Sequence, residues 1–182
     1  MYQGKNKTAL MSQKMISEAM LEMLEIQPFS DISISELCKR ADVSRQTFYS
    51  AFGTKENVII YELQHNCCFT PQNNENTCKS ASFRKFCKDY SKYIIDKRKI
   101  LEILVKNDMM HYLYDVQYQN FMDCGYFMRD LDNESRIYLV DFITGGMNSI
   151  AKNYVLSGCN ADEKFLENIM FRLFGGLYFT GH

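Results

Sequence analysis

The chain has 182 residues, of which 46% are hydrophobic and 24% charged, and its formal net charge is -1. This length allows one ordinary domain or two small domains that share an interface. No apolar stretch approaches the roughly 20 residues that cross a bilayer, and the N-terminal residues lack an apolar signal-peptide core, so we expect a cytoplasmic protein without a membrane partner.

Charge gives no general indication of nucleic-acid binding. Residues 1–66 contain seven Lys and Arg against eight Asp and Glu. Any binding to DNA must therefore depend on where individual side chains lie, because the overall charge supplies no attraction.

The predicted elements are helical nearly everywhere, because no segment sustains the apolar and polar alternation of a strand. A first helix is predicted from Thr8 to Ile26, with Pro28 beyond its end. The run Ser33-Ile34-Ser35-Glu36 predicts a capping box, in which Ser33 and Glu36 bind each other's backbone amides and start a second, short helix.

A turn and a third helix follow. The run Ala41-Asp42-Val43-Ser44 predicts a tight turn, since Asp tolerates the left-handed backbone that such turns require. Ser44 is predicted to cap the helix SRQTFYSAF, residues 44–52, which Gly53 ends. Thr54 is predicted to cap a fourth helix that runs to about Cys67.

The second half begins after a break in composition. Residues 70–81, TPQNNENTCKSA, predict a loop and a seam between two regions. Further helices are predicted from Phe83 through Ile94 and around 99–107, 109–127, 134–156 and 161–174. Asn160 and Glu163 suggest the start of the last helix, and Gly175-Gly176 its end.

Two short helices joined by a turn and packed on a longer helix describe a helix-turn-helix, whose second helix enters the major groove. Arg45 can pair with guanine, Gln46 with adenine, and Thr47 offers a hydroxyl and a methyl group. Tyr49, Lys55 and the amides at the helix caps are expected to hold phosphates. The candidate DNA-binding residues are Ser33, Ser44, Arg45, Gln46, Thr47, Tyr49, Ser50 and Lys55. Phe48 and Phe52 should pack inward, but the spacing fits an ordinary helical hairpin with a solvated polar face equally well.

Residues 16–60 resemble the N-terminal domain of TetR-family transcriptional regulators, most specifically through V-S-x-x-T-F-Y-x-x-F-x-x-K-E, Val43 to Glu56. Asp42 stands where the family normally has Gly, and Ala51 where it usually has a His or Tyr that touches phosphate. The resemblance implies an all-α fold: a three-helix helix-turn-helix DNA-binding domain (1–53), a connecting helix (54–69), and a helical effector-binding and dimerisation domain (70–182).

The resemblance also implies partners: a double-stranded DNA operator, a second copy of the chain and an unknown small-molecule effector, with no cofactor. The leading hypothesis is a homodimeric repressor that its effector releases from DNA. The alternative is an activator or co-regulator that responds to a partner protein. An enzyme is a remote third class, because the sequence has no Ser/His/Asp order and no phosphate loop.

Two residue sets are expected in the second region, and ordinary core remains an alternative for each. The candidate pocket residues are Phe86, Tyr90, Tyr93, Met109, Tyr112, Leu113, Phe121 and Phe142. The candidate dimer residues lie on the last two helices and are Val140, Ile143, Met147, Ile150, Phe165, Ile169, Met170 and Leu173.

Seven scattered cysteines without a CxxC pair predict reduced, mostly buried thiols. A redox sensor built on Cys67, Cys68 or Cys78 is an alternative. Asp108, His111 and Asp115 have the spacing of one helix face and could hold a divalent metal, but a solvated face is the default, so no metal site is predicted.

Overall fold

The structure is a computed structural model that describes residues 6–64, 83–124, 127 and 131–175. All regular structure in these ranges is helical, which confirms the all-α fold class. The helices are α1 (Lys7–Ile26), α2 (Ile34–Arg40), α3 (Arg45–Ala51), α4 (Lys55–Gln64), α5 (Phe83–Asp96), α6 (Arg98–Lys106), α7 (Met110–Asp123), α8 (Asn133–Leu156) and α9 (Glu163–Phe174), with a 3₁₀ turn at Phe29–Asp31. Cys67, Cys68, Cys78 and the predicted loop at 70–81 lie outside the described residues.

The N-terminal helices form a small bundle around α1, which packs against α2, α3 and α4. Ile16 of α1 and Leu37 of α2 are fully buried. Phe48 and Phe52 are 0% and 1% exposed, so their predicted inward packing is confirmed. The two side chains that anchor α3 in the bundle therefore lie on its inner side, away from the outer face of the helix.

The second region is a bundle in which α5 packs mainly on α9, and α6 and α7 pack on α8. The N-terminal bundle rests on it through contacts of α1 with α6 and of α4 with α7. None of the helices in the described ranges is long and apolar enough to cross a membrane.

The start of α9 differs from the prediction. Asp162, not Asn160, caps the helix by accepting a hydrogen bond from the Phe165 amide at 2.7 Å. Asn160 instead donates to the Ser157 carbonyl at 3.0 Å and so stabilises the turn after α8. Gly175 ends the helix as predicted.

The candidate pocket residues divide into core and surface. Tyr90, Tyr93, Met109, Leu113 and Phe121 are buried in the common hydrophobic core, and Phe86 and Tyr112 pack against it. The prediction is wrong for Phe142, which is 58% exposed because it lies on the outer face of α8.

The candidate dimer residues divide in the same way. Val140, Met147, Ile150 and Met170 face the interior of the bundle with exposures of 8% or less, so their assignment to an interface is wrong. Phe165 and Leu173 are exposed, and Ile143 and Ile169 are partly buried.

The premise of a metal-binding helix face is wrong as well. Asp108 lies in the turn before α7 with a φ of 56°, so it does not share a helix face with His111 and Asp115. Within the described ranges, no group of three or more His, Cys, Asp and Glu side chains is arranged to hold a metal ion.

Candidate DNA-binding surface

The N-terminus of α2 carries the predicted capping box. The Ser33 hydroxyl accepts from the Glu36 amide at 3.1 Å, and the Glu36 carboxylate accepts from the Ser33 amide at 3.1 Å. The Ser33 hydroxyl also donates to this carboxylate at 2.7 Å. The hydrogen bond from the Ser33 side chain, followed by that from its amide, lowers the pKa of Glu36. Ser33 is exposed at the start of α2, where a helix N-terminus attracts anions.

The turn between α2 and α3 has the predicted geometry. Asp42 adopts a φ of 51°, the left-handed conformation for which Gly is the usual choice. The Val43 amide donates to the Cys38 carbonyl at 3.0 Å, and this bond closes the end of α2. The turn therefore keeps its helix-turn-helix form with Asp in place of Gly.

Helix α3 presents a polar outer face. The Ser44 hydroxyl accepts from the Thr47 amide at 3.0 Å and confirms the predicted cap. Arg45, Gln46 and Ser50 are exposed. The first turn of α3 contains no acidic residue that would repel a phosphate.

Arg45 and Tyr49 are held by neighbours in different ways. The Arg45 guanidinium donates through Nη2 to the Ser35 hydroxyl of α2. Tyr49 is 54% exposed, and its ring meets the buried Phe48 ring edge-on at 5.6 Å between centroids. Ala51 is only 4% exposed, so it offers no polar group at the position from which the family's His or Tyr would reach a phosphate.

The ammonium group of Lys55 binds backbone carbonyls of the protein, which differs from the phosphate contact that the sequence predicts. Its Nζ donates to the Phe29 carbonyl at 2.9 Å and to the Ile32 carbonyl at 2.6 Å. It also lies 4.6 Å from the centroid of the Phe29 ring. These partners tie α4 to the turn before α2, so the described geometry gives Lys55 a structural role in place of the predicted phosphate contact.

The sequence did not indicate the contacts that join the N-terminal bundle to the second region. At the end of α4, the Leu63 carbonyl accepts from the Tyr93 hydroxyl at 3.0 Å, and the Glu62 carbonyl accepts from Lys97 Nζ at 2.5 Å. At the end of α1, Lys99 pairs with the Glu25 carboxylate at 2.9 Å. Bonds between side chains and backbone carbonyls that lie 30 or more positions apart leave no local pattern in a sequence.

Comparison with known proteins gives the family of the N-terminal domain. Residues 16–61 match the model of the bacterial regulatory proteins of the tetR family. The transcriptional activator DhaS of the dhaKLM operon, from Lactococcus lactis subsp. lactis (strain IL1403), is 27% identical over 71 residues. The alignment covers 39% of this chain and only 37% of that protein.

Solved structures show the same fold over nearly the whole chain. Lin0861 from Listeria innocua has a TM-score of 0.77 at 14% identity, covering 97% of this chain and 96% of its own. The fatty acid degradation regulator FadR from Bacillus halodurans has a TM-score of 0.60 at 18% identity, covering 97% and 99%. The dihydroxyacetone kinase operon activator DhaS has a TM-score of 0.57 at 14% identity, covering 92% and 94%. At these identities the likeness concerns the fold alone.

Proposed function

We propose that the chain is a TetR-family DNA-binding regulator, since residues 16–61 match the model of that family, and that it is a homodimeric repressor that a small-molecule effector releases from its operator. The observation that carries the proposal is the division of α3 into a buried side, Phe48, and an exposed polar side that begins at Arg45. A DNA-bound regulator of this kind works in the cytoplasm, and we propose no catalytic role for it.

The proposed DNA contacts separate into base contacts and phosphate contacts. Arg45, Gln46 and Thr47 stand in the first turn of α3, from which side chains reach base edges in the major groove. Arg45 exchanges its bond with Ser35 for a guanine. Tyr49 and Ser50 on the same helix contact phosphates of the DNA backbone, as do the capped helix N-termini at Ser33 and Ser44. Because most of these groups are neutral, hydrogen bonds carry more of the binding than charge does.

The proposed dimer forms through the outer faces of α8 and α9. Tyr138, Phe142 and Leu156 of α8 are 71%, 58% and 62% exposed, and Phe165 of α9 is 56% exposed. Tyr138, Phe142 and Leu156 share one face of α8 by their helical spacing, and an exposed apolar surface of this kind marks an interaction site. Gly145 lies in the same stripe with no atom within 4 Å of an added Cβ, so a second helix could approach closely there.

The effector acts through the contacts that connect the end of α4 in the N-terminal bundle to α5 and the residue that follows it in the second region. Tyr93 of α5 and Lys97, which follows the end of α5, donate to the Leu63 and Glu62 carbonyls in the last turn of α4, and Lys55 ties α4 to the turn before α2. A shift of α5 on binding an effector would therefore move α4 and change the distance between the two copies of α3.

A second candidate is a transcriptional activator that responds to a partner protein. It is favoured by the likeness to DhaS, which is an activator of its operon. Transcript levels from the neighbouring genes in a deletion strain separate the two, since they rise without a repressor and fall without an activator.

The proposed function is tested by gel shift of the DNA upstream of the protein's own gene, with a random fragment of equal length as competitor. We expect a specific complex whose affinity falls with increasing salt. The variant Gln46→Ala, which removes an exposed side chain without disturbing the core, should weaken the complex. Absence of a specific shift across the whole upstream region at low salt would contradict the proposal.

A further inference from the structure

The side chain of Arg45 does not extend freely from α3. Its Nη2 donates to the hydroxyl of Ser35 on α2, ten positions earlier in the chain. Burial raises the pKa of the Cys38 thiol on α2, and the nearby charge of Arg45 opposes this increase. Both observations place the guanidinium against α2. We call this arrangement, with Arg45 bound to Ser35, the closed position.

The Ser35 hydroxyl is not needed to build α2. The cap of this helix is Ser33, whose hydroxyl accepts from the Glu36 amide at 3.1 Å. Ser35 is exposed, so its side chain fills no space in the core. Among the described residues, Arg45 is the one hydrogen-bond partner of the Ser35 side chain. Over this part of the chain, the hydroxyl therefore serves Arg45 alone.

The bond between Arg45 and Ser35 is weak enough to be exchanged. Ser35 is neutral, and no carboxylate in the described ranges forms an ion pair with Arg45. Both side chains are exposed, so water competes for the guanidinium. A hydrogen bond under these conditions makes the closed position roughly three- to tenfold more populated than an open one. A DNA base that offers more than one acceptor can therefore displace Ser35.

The four bases differ in what they offer Arg45 in exchange. Guanine presents two acceptors in the major groove, O6 and N7, and a guanidinium pairs with both. Adenine presents N7 and thymine O4, one acceptor each, and cytosine presents a donor. Guanine therefore replaces one hydrogen bond by two, adenine and thymine replace one by one, and cytosine replaces it by none. On this count, Arg45 gains clearly from leaving Ser35 only where guanine is present.

We propose that Ser35 is a specificity-determining residue, which holds Arg45 closed unless guanine is present and so lets the protein tolerate other bases at that position. The inference rests on the proposed function, since it requires that α3 reads DNA. Because the bond to Ser35 must break before guanine is bound, it lowers the affinity for guanine by the same factor, roughly three- to tenfold. At cytosine the closed position persists in the complex, so the bond has no effect there. Adenine and thymine lie between these limits.

The test compares Ser35→Ala with Ser35→Thr, which keeps the hydroxyl. The position is exposed and alanine favours a helix, so the fold should be retained. Duplexes carry each of the four bases at the position that Arg45→Ala identifies, and affinity is measured by fluorescence anisotropy at one salt concentration. Ser35→Ala should bind the guanine duplex roughly three- to tenfold more tightly than wild type and the cytosine duplex equally well, whereas Ser35→Thr should match the wild type throughout.

A double variant tests whether the effect passes through Arg45. In the Arg45→Ala background, Ser35→Ala should change the affinity for none of the duplexes. An equal loss on all four duplexes in Ser35→Ala alone would mean that Ser35 itself contacts a phosphate. A loss on the guanine duplex alone would mean that Ser35 positions Arg45 for reading. Either result, or an unchanged affinity for guanine, would overturn the proposal.

A measurement without DNA separates this inference from the proposed function. The heteronuclear NOE of the Arg45 Nε–Hε group, assigned by its absence in Arg45→Ala, reports how firmly the side chain is held. It should fall in Ser35→Ala and keep the wild-type value in Ser35→Thr. A fall in a protein that binds no duplex refutes the proposed function, whereas an unchanged value in a protein that binds DNA refutes the closed position alone.

Discussion

Replacing Lys55 by Met separates a structural lysine from a phosphate ligand. The ammonium donates to two carbonyls, at 2.9 Å and 2.6 Å, and lies over the Phe29 ring. A hydrogen bond to a charged group contributes about 1.5–3 kcal/mol, and a cation–π contact about 0.5–1 kcal/mol. The low ends of these ranges sum to about 3.5 kcal/mol, and because Lys55 is only partly buried and water replaces part of these interactions, we expect Lys55→Met to lose about 2–3 kcal/mol.

Urea unfolding and thermal melting measure this loss. For a chain of this size, 2–3 kcal/mol corresponds to a decrease of roughly 5–10 °C in Tm. The matched control is Lys92→Met, which removes an exposed lysine on α5 and should change the stability by less than about 0.5 kcal/mol.

The salt dependence of DNA binding completes the experiment. A lysine that contacts a phosphate contributes about 1 to the slope of log K against log salt. We expect Lys55→Met, measured well below its Tm, to keep the wild-type slope. Unchanged stability together with a slope reduced by about 1 would refute the structural role and restore the phosphate contact that the sequence suggested.

Three further predictions concern DNA reading, assembly and the cap of α2. Arg45→Ala should weaken binding to the cognate site by about 1–3 kcal/mol and relax the preference at one base pair, as measured by anisotropy on single-substitution duplexes; equal losses on all duplexes would instead indicate a phosphate contact. Phe142→Asp should halve the mass found by light scattering, whereas Ile26→Asp, at an apolar side chain that is even more exposed, should not; an unchanged mass in Phe142→Asp would place the interface elsewhere. Glu36→Gln should be less stable than wild type at pH 7, and the difference should shrink as the pH falls below 4.5, the usual pKa of Glu. The lowered pKa of Glu36 in the fold requires this direction, because its stabilisation is present above the unfolded pKa and is lost as the carboxylate gains a proton; a constant difference in acid would contradict it.

The helix-turn-helix could be predicted because its signals are local. The capping box depends on Ser33 and Glu36, three positions apart, and the turn depends on the backbone tolerance of Asp42. Each of these choices is decided within four residues, so a short window of sequence contains the full physical cause.

For the second region the sequence predicts the helices but not how they pack, because a helical repeat of apolar residues does not show which element packs against it. Met147 and Phe142 are both apolar residues of α8, but one faces the bundle and the other faces outward. Helix α8 has apolar residues on two faces, so its pattern supports a core and an interface at once. Lys55 shows the same limit for a charged residue, since the sequence does not show whether a lysine at the start of a helix binds a DNA phosphate or a backbone carbonyl.

The central claim is that the exposed face of α3 reads DNA as a pair of half-sites. Selection of bound duplexes from a random pool by the full-length protein measures this most directly. We predict a two-fold symmetric motif with half-sites one helical turn apart or somewhat more, and loss of enrichment at one position of each half-site in Arg45→Ala. A pool that stays random after repeated selection at low salt would contradict the claim.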